Sequence, residues 1–374
     1  MINSLHIEGY RCFEQFDMVG LGRINLLVGT NNSGKTSVLE ALYLLASMGD
    51  PASLCRLLFS RGERTSSSPL SLDAHQRNQQ QLELDVSHLF TGHDASPFSK
   101  ITLSARNQSI ERSLSLAVLE LSPKEQAEQF GPDIEPVLPS RLVLTFHGQP
   151  KPRKTLLSLS RSGGINPDSF EMTIRRRPRS GNEEPPLFIT TESLTGDDLV
   201  SMWNRVALTP AENLVVKALQ FLDPSIEAIA PQVSSQQPYY PGQSRGGFIV
   251  RCKGSESPIP IGSMGDGMWR MLAIAIALTQ CRGGILLVDE IDTGMHYSVM
   301  SQMWRLIFNT AKELDVQVFA TTHSYDCVYS LAQICPTDSA NPVTVHRIEA
   351  DKKNSIPYDE EEITVAAARE IEVR

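Results

Sequence analysis

The chain has 374 residues, 41% of them apolar and 21% charged, with a formal net charge of −9. This describes a globular protein with one large core carrying an insertion, or with two domains; it argues against a generally basic nucleic-acid coat but leaves room for a local basic groove. Six scattered cysteines (Cys12, Cys55, Cys252, Cys281, Cys327 and Cys335) form no Cys-x-x-Cys pair, which points away from a zinc site or a disulfide framework and toward a reducing cytosol.

The first residues show no basic-then-apolar signal segment. The most apolar helical run, Met271 to Leu278, is well short of the ~20 residues that span a bilayer. A cytoplasmic protein that does not itself span a membrane is expected, although a soluble ATPase partner of a membrane protein stays open, and that run reads as a helix buried in the core. Ile2 to Ile7 alternates apolar and polar residues and predicts a strand, Glu8 to Phe13 a turn, and Phe16 to Val19 a second strand. Arg23 to Val28 reads as a buried strand that runs into Gly29-Thr30-Asn31-Asn32-Ser33-Gly34-Lys35-Thr36. That octet fits the pattern of Gly, any four residues, Gly-Lys, then Ser or Thr. Ser37 to Leu45 follows with helical spacing. Strand, Gly-rich loop and helix N-terminus together surround a polyphosphate with backbone N–H groups and the positive end of a helix dipole. The pattern predicts binding of a nucleoside triphosphate, with Lys35 on the β/γ-phosphates and the Thr36 hydroxyl on Mg²⁺; ATP is the nucleotide expected.

Arg61 to Ser68 is Ser-rich and predicts an exposed loop. Leu82–Val86, Ile101–Ala105, Arg141–Phe146 and Phe170–Ile174 alternate and predict half-buried antiparallel strands. Pro123 to Gln129 reads as a short helix or a loop, and 148–187 as Pro-, Gly- and Arg-rich with short strands. Helical spacing returns from Asp197 to Phe221, and Ser234 to Gln243 is the clearest loop. After a strand at Gly247–Arg251 come the turn Gly262–Gly267, a helix over Met268–Thr279 and an apolar strand, Gly283 to Glu290, that ends in two carboxylates. A helix over Ser298–Leu314, a strand over Val316–Thr322 ending at His323, and a strand over Val343–Ile348 complete the pattern. The acidic run Asp359–Glu362 precedes a last helix and reads as a solvated tail rather than a metal site. The predicted fold class is α/β, a P-loop domain with a mixed sheet, split into a core of 1–46 and 245–374 around an insertion, 47–244, of antiparallel strands followed by helices.

The acids extend the chemistry. Asp289 would bind Mg²⁺, and Glu290 would polarise the attacking water. About 250 positions separate Lys35 from Asp289, far more than in small P-loop kinases and GTPases. With this order of motifs the chain resembles the ABC-type ATPases of the SMC, RecF and OLD (overcoming lysogenisation defect) group. Gly29–Thr36 is similar to their first nucleotide motif and Leu286–Glu290 to their second. Ser263-Met264-Gly265-Asp266-Gly267 is similar to their signature, Asp292–His296 to their D-loop, and Thr321–Ser324 to the segment with the switch histidine. Ile7–Phe13 resembles the opening strand and turn that contribute to the nucleotide pocket.

The resemblance implies a homodimer or higher oligomer in which Ser263 and Gly265 of one copy face the γ-phosphate held by the other, while His323 contacts it in cis. It implies catalytic roles for Lys35, Glu290 and His323. Nucleotide contacts are implied at Arg11, Gly29, Asn31, Asn32, Ser33, Gly34, Lys35, Thr36 and Ser37, and Mg²⁺ at Thr36 and Asp289. The signature lacks the double glycine and following Gln of transporter ATPases, and no glutamine among Gln76 and Gln79–Gln81 is singled out for a Q-loop. No long heptad segment supplies SMC arms, and the roughly fifty residues after His323 are too few for a Toprim nuclease, so none is expected within them. The expected role is that of a stand-alone OLD-like ATPase working with a separately encoded nuclease or Toprim-like effector, in defence against phage or plasmids or in DNA repair. Lys151-Pro152-Arg153-Lys154 and Arg175–Arg179 are candidate DNA contacts. A soluble energy subunit of a transporter and a slowly hydrolysing ATP-holding scaffold are the alternatives.

Overall fold

A computed structural model describes residues 1–66, 82–107, 110–120, 140–160, 162–166, 186–191, 194–232, 247–335 and 342–373. The chain opens with β1 (Ser4–Tyr10), β2 (Phe13–Val19), β3 (Ile24–Val28), α1 (Lys35–Ala46), α2 (Pro51–Ser60) and β4 (Arg64–Ser66). Then come β5 (Leu82–Asp85), β6 (Lys100–Arg106), β7 (Glu111–Glu120), β8 (Ser140–His147), β9 (Arg153–Ser158), β10 (Gly164–Ile165) and β11 (Leu187–Ile189). The middle continues through α3 (Gly196–Trp203), α4 (Pro210–Gln220), β12 (Ile226–Pro231), β13 (Phe248–Cys252), β14 (Ile259–Pro260) and α5 (Asp266–Gln280). The last part holds β15 (Ile285–Val288), α6 (Tyr297–Leu314), β16 (Gln317–Thr321), α7 (Tyr325–Ala332), β17 (Val343–Arg347), β18 (Ile356–Tyr358) and α8 (Glu360–Ala368).

The central sheet runs β11-β15-β16-β3-β17-β18, parallel except for β18. β3 is buried at all five residues because both of its faces are covered. Its period of two divides them: Ile24, Leu26 and Val28 join one core with α3 to α7, and Leu27 joins a second with α1 and the antiparallel strands. Each fully buried Leu, Ile or Val in these layers contributes about 1.5–3 kcal/mol. α1 lies between the parallel sheet and a second sheet and is buried almost all round, which is why its sequence is apolar on every face. α5 is buried from Met268 to Leu278 for the same reason, so its apolar run serves the core. No described helix is long and apolar enough to cross a membrane.

The second sheet is antiparallel, in the order β2-β1-β6-β7-β8-β9. The strands from 100–158 therefore build directly onto the first two strands of the chain, and β11 pairs with β15 at the edge of the nucleotide sheet. The segment 47–244 is thus hydrogen-bonded into both large sheets. The helical stretch expected over 197–221 is two helices. Leu208, at φ 62, breaks them, and Thr209 caps the second, whose first turn begins at Pro210. The acidic run becomes the start of α8: Asp359 caps it, with the reciprocal Glu362 bond of a capping box. Gln76, Gln79–Gln81, Phe170–Ile174, Arg175–Arg179, Pro123–Gln129 and Ser234–Gln243 lie outside the described residues.

Candidate nucleotide site

β3 delivers the chain into the loop 29–34, and α1 leaves it. Gly34 caps α1 at φ 99, in the left-handed region, and a side chain there would run into the Phe13 ring and the Cys12 Sγ. Glycine is thus required both by the turn and by the β1–β2 turn packed on it. Asn31 and Asn32 are exposed, Asn32 with φ 62, while Ser33 and Ser37 are buried and the Ser33 hydroxyl has no hydrogen-bond partner. Lys35 is only 5% exposed, and its Nζ donates to the carbonyls of Gly29 (2.9 Å) and Thr30 (2.7 Å). Burial pulls its pKa down to about 8, against the opposing pull of Asp289 and Glu290.

The acids stand at the end of β15. β16 lies between β15 and β3, and the Asp289 carboxylate is met both by the first turn of α1 and by the end of β16. Thr36 Oγ1 donates to Asp289 Oδ1 and Oδ2 at 3.2 and 3.1 Å. Thr321, ending β16, donates to Asp289 Oδ1 at 2.6 Å, and its hydroxyl accepts the Glu290 N–H at 2.7 Å. Thr36 and Asp289 oxygens at this spacing fit neighbouring corners of a Mg²⁺ octahedron with bonds of about 2.0–2.1 Å. Glu290 has φ 47, a left-handed conformation rare for a residue with a side chain. Its Oε1 lies 3.9 Å from His323 Nε2, and Thr293 Oγ1 donates to its Oε2 at 3.4 Å. Lys35, Thr36, Asp289, Glu290 and His323 thus share one mouth.

Ser263 and Gly265 are placed differently. Ile261–Met264 forms a short 3₁₀ turn, and Gly265 caps α5 at φ 94, ψ 166, a backbone conformation essentially confined to glycine. Both residues are exposed, and a Cβ on Gly265 would meet no atom within 4 Å. Among the described residues no hydrogen bond joins either to the loop. The turn rests instead on the segment Asp292–His296, since a Cβ on Gly267 would come within 2.8 Å of the Gly294 carbonyl. Thr322 Oγ1 donates to Asp292 Oδ1 at 2.6 Å, so the same segment is tied to the end of β16.

The Arg11 guanidinium is held by two acids and a carbonyl. Its Nε lies 2.5 Å from Glu40 Oε2 and its Nη1 2.6 Å from Glu63 Oε1, with the His88 carbonyl at 3.3 Å. Arg61 closes on the other Glu40 oxygen at 2.5 Å. Burial pushes the Glu40 carboxyl up, and the two guanidiniums pull it back. What Arg11 holds in place is the turn that carries Cys12 and Phe13 onto Gly34. Sequence reading also passed over Arg270, on α5. Its Nη1 donates to the Thr190 carbonyl at 2.7 Å, and its Nη2 to those of Asp289 and Glu290 at 2.5 and 3.1 Å. Burial draws its pKa down to about 10, while Asp289, Asp292 and Glu290 oppose the shift. The signal for both networks was a lone charge, Glu40 or Arg270, inside a helix apolar on every face.

A glycine-rich loop after a buried strand, laced through hydroxyls to an Asp-Glu pair at a neighbouring strand end, defines a P-loop ATPase. Residues 1–127 match the family model "AAA ATPase domain", and residues 214–326 match "AAA domain, putative AbiEii toxin, Type IV TA system". An ATP/GTP phosphatase of Helicobacter pylori is 23% identical over 375 residues, 96% of this chain and 95% of the relative. A RecF DNA replication and repair protein of Thermomicrobium roseum is 42% identical over 78 residues, 21% of this chain and 19% of that protein. A solved Smc head domain with an extended coiled coil, bound to the C-terminal domain of ScpA derived from Pyrococcus furiosus, overlaps 99% of each chain. Its TM-score of 0.46 at 11% identity is too loose an overlap to argue from. The two family matches and the geometry of the site together make the chain an ATPase of the P-loop class.

Proposed function

We propose that the chain hydrolyses ATP at a composite site completed by a second copy of itself. In this reading the loop 29–34 and the first turn of α1 cradle the phosphates, and Lys35 exchanges the Gly29 and Thr30 carbonyls for β/γ-phosphate oxygens. Thr36 and Asp289 would hold Mg²⁺, which supplies charge neutralisation to the phosphates when bound. Glu290 accepts the proton of the attacking water, and His323 contacts the γ-phosphate beside it. Ser263 and the N–H groups after Gly265 in the partner copy donate to the γ-phosphate from a helix N-terminus. The single observation that carries the reading is the relay Thr36–Asp289–Thr321–Glu290, which joins motifs 253 positions apart at hydrogen-bond distance.

The cycle then couples ATP to an effector. An OLD-like ATPase that works with a separately encoded nuclease or Toprim-like protein, in phage or plasmid defence or in DNA repair, fits these motifs. The RecF relative supports a DNA-linked role. Lys151 and Lys154, exposed at the start of β9, are available to phosphates there. The test is Glu290→Gln. Hydrolysis is expected to fall on the order of 100-fold while ATP binding persists and an ATP-dependent dimer accumulates on a sizing column. Hydrolysis at the wild-type rate would overturn the mechanism. Duplex DNA that leaves the wild-type rate unchanged would count against DNA coupling.

A further inference from the structure

Arg270 is 3% exposed, in a helix whose other residues from Met268 to Leu278 are apolar. Taking a guanidinium out of water is costly, and an apolar side chain would suit this place in the core at least as well. Among the described residues no carboxylate hydrogen-bonds to it. Its partners are three carbonyls, and its Nε has none. Its position therefore invites an explanation other than stability.

The three carbonyls supply one. Nη2 donates to the carbonyls of Asp289 and of Glu290, which lie on either side of the Glu290 Cα. A single nitrogen bonded to both brackets the φ and ψ of that residue. The bracket matters here because Glu290 is held at φ 47, a sparsely populated conformation that persists only when its surroundings over-determine it. Thr321 Oγ1 fixes the Glu290 amide from the opposite side. Nη1 ties the same guanidinium to Thr190, just past β11, whose Ile189 carbonyl accepts the Asp289 N–H at 2.8 Å. Arg270 also lies only about 6 Å along α5 from the helix start at Asp266. A tilt or slide of α5 at Gly265 is thus carried directly to the Glu290 backbone.

We propose that Arg270 is a positioning residue that sets the aim of Glu290 and makes it depend on the placement of the helix that begins at Gly265. This rests on the reading of Glu290 as the base. In this reading Arg270 acts through the main chain of Glu290, whose carbonyl and that of Asp289 it holds.

Arg270→Met keeps the length and removes the donors; Arg270→Lys restores one charged donor. Steady-state hydrolysis, equilibrium nucleotide binding and thermal unfolding are measured for both. For Arg270→Met the expected result is ATP affinity within about threefold of wild type and kcat lower by on the order of 10- to 100-fold, the cost of a small misplacement of a reacting group. Arg270→Lys is expected to recover a substantial part of kcat. Turnover by Arg270→Met within twofold of wild type overturns the proposal. So does an equal loss of affinity and kcat, which is the mark of a strut for the whole site. Should Arg270→Met fail to fold, the kcat-against-affinity split is read from Arg270→Lys and Arg270→Gln, with the same outcomes deciding. Glu290→Gln measured alongside separates the two readings. Slow Glu290→Gln with fast Arg270→Met removes only the role of Arg270, whereas fast Glu290→Gln removes the base assignment itself.

Discussion

The phosphate loop and the turn at Ser263–Gly267 are both helix N-termini opened by a glycine of positive φ, yet they are finished to different degrees. Around the loop, Lys35, Thr36, Asp289 and Glu290 are engaged by groups of the same chain, and Phe13 and Cys12 close on Gly34. At the other turn the helix is equally well anchored, through the Gly267–Gly294 contact and Arg270, but Ser263 and Gly265 face outward with open space before them. One terminus is wired to its own strand ends. The other is packed from behind and leaves Ser263 and Gly265 exposed. This contrast agrees with the proposed division of the site between two copies, under which binding and turnover respond separately to mutation.

The largest expected effect is at the wired end. Lys35→Ala removes the charged donor and should weaken ATP binding on the order of 100-fold or more in a direct titration. At the open end, Gly265→Val forces a side chain into a backbone conformation that glycine alone takes readily. Hydrolysis should fall about tenfold, since such strain is worth on the order of 1–3 kcal/mol, while ATP affinity stays within about threefold. If Gly265→Val weakened binding as much as Lys35→Ala does, the two turns would belong to one site and the contrast would fail.

The smallest effect is in pH. Burial holds the Lys35 pKa near 8 against an ordinary 10.5. Between those values the folded chain without nucleotide carries fewer protons than the unfolded chain, so this lysine makes stability rise with pH across that window. Its burial cost is present in full below pH 8. Phosphate favours the ammonium form, so ATP binding above pH 8 must take up a proton. Affinity should then drop by up to about tenfold per pH unit in a binding series from pH 7 to 9.5. A flat series would mean that the ammonium stays charged before ATP arrives.

Strand, loop and helix around Lys35 were legible because a buried strand, a glycine loop and an all-apolar helix each leave a local pattern; Ile24–Val28 and Lys35–Ala46 depart from the expected bounds by two residues at most. β15, α5, α6, β16 and β17 were legible for the same reason. β7 was not, although Leu114, Leu116 and Val118 alternate inward, and the short helices α2 and α7 also passed unread. Arg61–Ser68, expected to be loop, contributes β4, because Arg64–Ser66 pairs with Leu82–Leu84 across a gap in sequence that no local pattern records. The relay through Thr321 and the grip of Arg270 on two carbonyls were hidden for a deeper reason. Both depend on which strand ends become neighbours, and that order, β15-β16-β3, is a property of the folded sheet.

The central place of β3 also has a consequence during synthesis. Ile24 leaves the ribosome about 290 residues ahead of Val318 and further still ahead of Val343, its partners in the sheet. At about 5–20 residues per second, the apolar segment Ile24–Val28 waits on the order of tens of seconds with both edges unpaired. Such a segment is a hazard for the nascent chain, which favours shielding by a chaperone until β16 emerges. It also means that a chain cut short before Gln317 would carry the loop residues without the strand that pairs beside them.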